Sequence, residues 1–208
     1  MAVAAALVGT GTLSCAAHHA SPGPIAPLTA GKIEGHRSSS HRDPTQTTRP
    51  RGPLLTRSVP VRLDIPAVGI DTSLLRLGLN ADGTLQVPWK PLLAGWYTGS
   101  PTPGELGPAI IAGHVDSWAT GPAVFYRLGQ VAIGSNVVVT RADSSVADFK
   151  VTAVRSYPKK SFPTDVVYGD VNRAELRLIT CGTWNGATQE YDNNVVVFAR
   201  LIRGAPAA

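Results

Sequence analysis

The sequence predicts an all-β domain, a barrel or a sandwich, behind an N-terminal segment with no core of its own. Short apolar runs, alternating or rich in β-branched residues, recur between residues 59 and 203. Gly and Pro, 21 and 17 of 208 residues, punctuate these runs, and no long helical period or internal repeat appears.

In residues 59–65 (VPVRLDI), Val59, Val61, Leu63 and Ile65 alternate onto one face of a strand. Pro66 and Gly69 break that run, and 70–77 predicts a second strand. Asn80-Ala81-Asp82-Gly83 is turn chemistry, since Asp and Gly tolerate tight-turn dihedrals, and 84–87 predicts a short strand after it. Trp96 and Tyr97 precede a loop over 99–107 dense in Pro and Gly. The unbroken run Ala109-Ile110-Ile111-Ala112 predicts a buried strand with Gly113-His114 at its end. Residues 121–128 (GPAVFYRL) predict one or two helical turns, with Pro122 near the start, where its missing N–H costs nothing. Residues 136–141 and 148–157 predict β-branched strands, and a longer connection runs over 158–173. Residues 175–181 (ELRLITC) and 194–202 (NVVVFARLI) predict the last two strands, separated by 182–193.

Residues 20–58 are rich in Pro, Ser, Thr, Gly and Arg, with no aromatic residue and no apolar period. Such a segment cannot bury enough apolar surface to offset the entropy of ordering, so it predicts a disordered stalk, with the folded domain over 59–203. Six of the 19 Lys/Arg and two of the 14 Asp/Glu lie up to Ser58, so +4 of the net +5 belongs to this end. A basic stalk beside an apolar terminus fits anionic lipid headgroups or wall polymers. The remainder is near neutral and has no basic patch interleaved with aromatics, which argues against a nucleic-acid partner. Residues 1–19 are apolar but fall short of the roughly 20 residues that span a bilayer. No Lys or Arg precedes them, while Ser14 and Ala16 give a small-x-small cleavage pattern. They predict a signal peptide or membrane-anchor remnant whose start lies upstream of Met1.

The cysteines are Cys15 and Cys181, and four of the five histidines (His18, His19, His36, His41) precede residue 59. The domain therefore has one thiol, Cys181, and one imidazole, His114. A lone cysteine on an exported domain is a liability unless buried or catalytic. Cys181 ends a strand directly before Gly182, His114 ends another, and Arg200 lies on the last strand. A thiolate attacks an amide carbonyl, and an imidazolium both stabilises it and gives a proton to the departing amine. A guanidinium with backbone N–H groups stabilises the oxyanion. Arg177 and Arg203 compete for that last role, and alternation turns Arg203 away from Arg200's face. Thr180 points opposite to Cys181 and is expected to supply backbone and packing. Asp116 either orients His114 or caps the following loop. No cluster of His, Cys or carboxylates has ligand spacing, so no metal or other cofactor is expected.

These residues sit in a recognisable context. Leu178-Ile179-Thr180-Cys181 resembles the sortase signature, Gly113-His114-Val115-Asp116 the histidine segment of that family, and Phe198-Ala199-Arg200 its arginine strand. IPAVGI, PGELGPAIIAGHVDS, GPAVFYRL and ELRLITCG together resemble class F sortases. Thr183-Trp184 departs from the Gly and Phe expected there. The resemblance implies a closed eight-stranded β-barrel and a two-step reaction with Cys181, His114 and Arg200 as the catalytic set. Cys181 would cleave an LPxTG-like sorting signal between Thr and Gly, and an amine of a peptidoglycan precursor would resolve the thioacyl-enzyme. The substrate would be a surface protein, joined to the cell wall on the outer face of the plasma membrane. The connection over 158–173 corresponds to the pocket loop, which makes Phe162, Val166, Val167 and Tyr168, together with Thr180, the candidate substrate-binding residues.

Two rival readings stand beside this one. L,D-transpeptidases also use Cys and His on a β-rich fold, but their motif places a Ser or His and an Arg within a few residues of the Cys, and ITCGTW lacks both. A wall-binding β module with an inert, buried Cys181 is the non-enzymatic alternative.

Overall fold

A computed structural model describes residues 49–118 and 121–205. The segment read as a signal or anchor, and residues 20–48 of the stalk, lie outside the described residues. Ten strands are present: β1 Pro60–Ile65, β2 Ile70–Leu77, β3 Ala94–Tyr97, β4 Gly107–Ala112, β5 Asp116–Ser117, β6 Gly121–Pro122, β7 Asn136–Arg141, β8 Val146–Pro158, β9 Ala174–Asn185 and β10 Glu190–Ala205. Eight of them close a barrel in the order β1-β2-β3-β4-β9-β10-β8-β7, while β5 and β6 form a separate ribbon. Among the described residues the one α-helix, α1 Thr164–Tyr168, lies in the connection between β8 and β9. Among the described residues no helix is long and apolar enough to cross a membrane.

Side chains alternate between two apolar layers. Leu63, Ile65, Ala109, Ile111, Val139, Phe149, Leu176, Leu178, Val197, Ala199 and Leu201 fill the barrel. The intervening residues Ile110, Ala112, Ile179, Cys181 and Val196 form a second cluster on the outer surface, where Val167 of α1 packs over them. Strand β4 is thus buried at every position. That accounts for its unbroken apolar sequence, since a strand covered on both faces has no polar positions to alternate with.

The expected strands at 70–77 and 136–141 coincide with β2 and β7. Three expectations differ. Residues 84–87 contribute only an isolated bridge, Leu79 to Leu85. Residues 121–122 are the short β6, which pairs with β5, so the turns expected over 121–128 start only after it, with the Tyr126 N–H donating to the Ala123 carbonyl at 3.1 Å and a 3-10 turn following at Leu128–Gln130. The last two strands run further toward each other than their apolar patterns, and stay in register to Asn185 opposite Glu190. Asn185 shapes the intervening turn, its Oδ1 accepting from the Ala187 N–H at 3.0 Å.

Residues 49–57, read with the stalk, lie along the barrel. The Leu55 N–H donates to the Gly104 carbonyl at 2.8 Å, and the Arg51 N–H donates to the Asn172 carbonyl at 2.9 Å. Arg141, 2% exposed, donates from Nη2 to the Thr56 carbonyl at 2.7 Å. Composition alone hides this, because the strap is held by backbone groups and a single apolar side chain. Leu55 packs on the barrel core so closely that a Cβ on Gly204 would meet its Cδ2 at 2.1 Å. Truncation with Leu55→Ala is expected to lower unfolding free energy by about 2 kcal/mol in urea titration, the low end for a leucine because the site is part-exposed. An unchanged midpoint would show that the strap adds nothing to the fold.

Candidate active site

Two strands set the site. Strands β4 and β9 run parallel, with Ala109 opposite Leu176 and Ala112 opposite Ile179. The ladder continues one step past β4, where the Gly113 N–H donates to the Ile179 carbonyl at 3.1 Å. Carried two residues on, the same offset puts His114 level with Cys181. Partners in register face the same side, so thiol and imidazole share the outer surface of the sheet. Gly113 is needed for the approach, since a Cβ there would meet the Phe125 ring at 2.7 Å.

Both groups are nearly enclosed, Cys181 at 5% and His114 at 6% exposure. His114 Nε2 lies 2.8 Å from the Pro88 carbonyl. A carbonyl only accepts, so Nε2 carries the proton and Nδ1 is the nitrogen left to exchange one. The Phe125 N–H donates to the His114 carbonyl at 2.9 Å, which fixes the backbone from the other side. Asp116 does not orient the imidazole through this nitrogen; its carboxylate accepts from the Tyr191 hydroxyl. Tyr191 stacks edge-on against Trp184, with centroids 5.1 Å apart.

Burial pushes the Cys181 thiol above its ordinary range; the Lys159 ammonium, hydrogen-bonded to it, pulls the other way, and Asp116 adds to the rise. Burial and the hydrogen bond to Asp116 likewise push the Tyr191 phenol up. Among the described residues no group of three or more His, Cys, Asp or Glu is placed to hold a metal.

The arginine expected here is elsewhere. Asn194, fully buried, is the residue opposite Cys181 in the β9–β10 ladder, whereas Arg200 lies opposite Glu175. Six residues of strand separate Arg200 from that row, about 20 Å. Arg200 is exposed and lines a cleft with Arg51 and Arg173 at the other end of the sheet. Alternation placed it on a compatible face, but alternation says nothing of distance along a strand. Arg177 shares the outer surface with Cys181, yet its guanidinium is paired with Glu175 at 2.6 Å and lies 4.5 Å from the Phe198 ring centroid.

Of the expected pocket residues, Phe162, Val167 and Tyr168 join the outer cluster that contains Cys181. The Phe162 ring lies 6.0 Å from Tyr157 and 6.2 Å from Tyr168. The Tyr168 hydroxyl is buried with no hydrogen-bond partner. Val166 instead faces solvent at 55% exposure, because one helical turn cannot bury adjacent residues equally. Thr180 is buried with its hydroxyl unpaired, on the face opposite Cys181. Lys159, Asn194, Tyr191 and the Pro88 carbonyl went unread in the sequence. Antiparallel counting finds Asn194 once the turn is placed at 186–189; nothing in the sequence marks Lys159.

Thr183, two residues after Cys181, has φ of +46°. This is the left-handed region, which a β-branched residue adopts only under strain and glycine adopts freely. Thr183→Gly is therefore expected to raise stability by about 1 kcal/mol in chemical denaturation. A loss of stability would mean that the threonine side chain contributes more than the strain costs.

A sortase-domain family model matches residues 63–202. Sortase A of Listeria monocytogenes superposes with a TM-score of 0.54 at 18% identity, over 73% of this chain and 91% of that one. The SrtA sortase of Actinomyces oris gives 0.52 at 20%, over 77% and 90%. A Clostridium perfringens sortase D5 transpeptidase gives 0.51 at 20%, over 70% and 79%. A comparison with curated proteins finds no match. With two thirds of its length matched by the family model and a closed barrel shared with solved sortases, the chain belongs to the sortase family.

Proposed function

We propose that this protein is a cysteine transpeptidase, most like class F sortases, that joins surface proteins to the cell wall. The observation that supports this reading is the parallel β4–β9 register, which ends at Ala112 opposite Ile179, two residues short of His114 and of Cys181 alike. The class reading rests on IPAVGI, PGELGPAIIAGHVDS, GPAVFYRL and ELRLITCG. Cys181 belongs to the apolar outer layer that includes Ile110, Ala112, Ile179 and Val196, with Val167 of α1 packed on it. An extended peptide with Leu and Pro side chains suits that layer, with Phe162, Val167 and Tyr168 as its walls.

The Cys181 thiolate attacks the Thr carbonyl of an LPxTG-like signal, and the His114 imidazolium protonates the departing Gly amine as the C–N bond breaks. A thioacyl-enzyme remains. An amine of a peptidoglycan precursor then attacks it; His114 takes the amine proton as the new C–N bond forms and the thiolate leaves. The oxyanion in each step is left to backbone N–H groups and to a cation other than Arg200. The N-terminal 58 residues would hold the enzyme to the outer face of the plasma membrane.

Purified protein given quenched LPxTG and LAxTG peptides, with and without an added amine, is expected to cleave between Thr and Gly and to form amide product. Cys181→Ala should abolish turnover, and His114→Ala should lower it at least about a hundredfold, as loss of a proton-transfer group does. Full turnover in His114→Ala overturns its role. A thiol that no reagent modifies in the folded protein, with every peptide left intact, would point instead to an inert wall-binding module.

A further inference from the structure

A buried thiol needs positive charge nearby to ionise, and His114 supplies one charge only while protonated. The arginines on the outer surface do not answer this need: Arg200 lies about six residues of strand away, Arg177 is held by Glu175, and the exposed Arg155, opposite Val196, donates to the Val154 carbonyl at 3.1 Å. The first turn after β8 brings a different cation. Tyr157 of β8 lies opposite Asn194 of β10, which lies opposite Cys181 of β9, so the three form one row across the sheet. Lys159 follows Tyr157 by two residues, beginning the 3-10 turn Lys159–Ser161. Its Nζ reaches back over the Tyr191 ring, 6.0 Å from the centroid. Tyr191 in turn belongs to the cluster that contains Cys181.

We propose that Lys159 is the fixed cationic partner of the Cys181 thiolate, in the place where an arginine was expected. The inference rests on the nucleophilic role of Cys181 in the reading above. Half-buried between the end of β8 and the Tyr191 ring, the ammonium donates to the sulfur. Asp116 from β5 opposes it, and the Tyr191 hydroxyl holds that carboxylate by a hydrogen bond. The other titratable groups facing this surface include His114 after β4, Tyr97 of β3, Tyr126 before the Leu128–Gln130 turn, Tyr157 and Arg155 of β8, Tyr168 of α1 and Arg177 of β9. Arg177 is paired with Glu175 and Arg155 turns to the Val154 carbonyl, which leaves Lys159 as the cation that acts on the sulfur.

The sign follows. An ammonium beside a thiolate lowers the thiol pKa, so its loss moves ionisation toward alkaline pH. The test is the pH dependence of iodoacetamide alkylation at Cys181 in the full chain, read by mass spectrometry of the peptide that contains it. Lys159→Met and Lys159→Gln are each expected to raise the midpoint by about one pH unit and to slow alkylation at pH 7 about tenfold. The Gln variant keeps a donor without the charge, so it separates charge from hydrogen bonding. Lys159→Arg should restore the midpoint to within a few tenths of a unit, and Arg200→Ala should leave it unmoved. Unchanged midpoints in both neutral variants overturn the proposal, as does a shift in Arg200→Ala equal to theirs. Because alkylation needs no peptide, failure to cleave any sorting signal would count against the transpeptidase reading while leaving this result to stand or fall alone.

Discussion

Everything at the site depends on one parallel pairing, β4 against β9, in a fixed register. Parallel strands have no hairpin to set their alignment; packing has to do it. Here both faces of β4 are covered, with Ala109 and Ile111 in the barrel and Ile110 and Ala112 in the outer layer. A slip of one residue would exchange those sets and turn His114 toward the barrel interior, away from the thiol. The apolar run that makes β4 unremarkable as sequence is therefore what holds the register on which the proposed pairing of His114 with Cys181 depends.

The same double coverage explains the electrostatic setting. Ordinary barrels leave their outer surface to water, but this one carries a second apolar layer capped by α1. The layer gives an extended apolar peptide somewhere to lie, and it also dries the sulfur, raising its pKa. Binding surface and nucleophile ionisation thus pull in opposite directions. A cation at the margin, rather than inside the layer, reconciles them, because a lysine stem can cross apolar surface while its ammonium stays partly hydrated.

Much of this was legible in the sequence, and unevenly so. Strands with strong alternation or β-branching, such as 70–77 and 136–141, were read to the residue, because local pattern and final burial coincide there. Cys181 and His114 stand out as candidates because residues 59–203 hold one cysteine and one histidine. Arg200 shows the limit. Parity gave its face correctly, but the register of the β9–β10 hairpin sets its distance, and that depends on where the turn falls. Polar residues 185–190 carry no apolar signal, so the hairpin tip read as a loop and the row opposite Cys181 was misjudged. Lys159 lies beyond even that arithmetic, since it reaches the site from a third strand through a flexible side chain.

The extended hairpin tip has a further consequence for how rigidly the pair is held. Beyond Cys181, β9 continues to Trp184, which meets Tyr191 of β10 edge-on. Tyr191 then donates to Asp116, two residues after His114. The strand that carries the nucleophile and the segment that carries the imidazole are therefore joined twice: by the parallel ladder before the site and by this side-chain bridge after it. With the Pro88 carbonyl fixing Nε2, the imidazole is braced from two directions and keeps only the ring nitrogen that proton transfer requires. The strained backbone at Thr183 falls inside this second connection, between Cys181 and Trp184. A chain under no demand would relax there; holding the bend is what lets Trp184 reach Tyr191 while Cys181 remains level with His114.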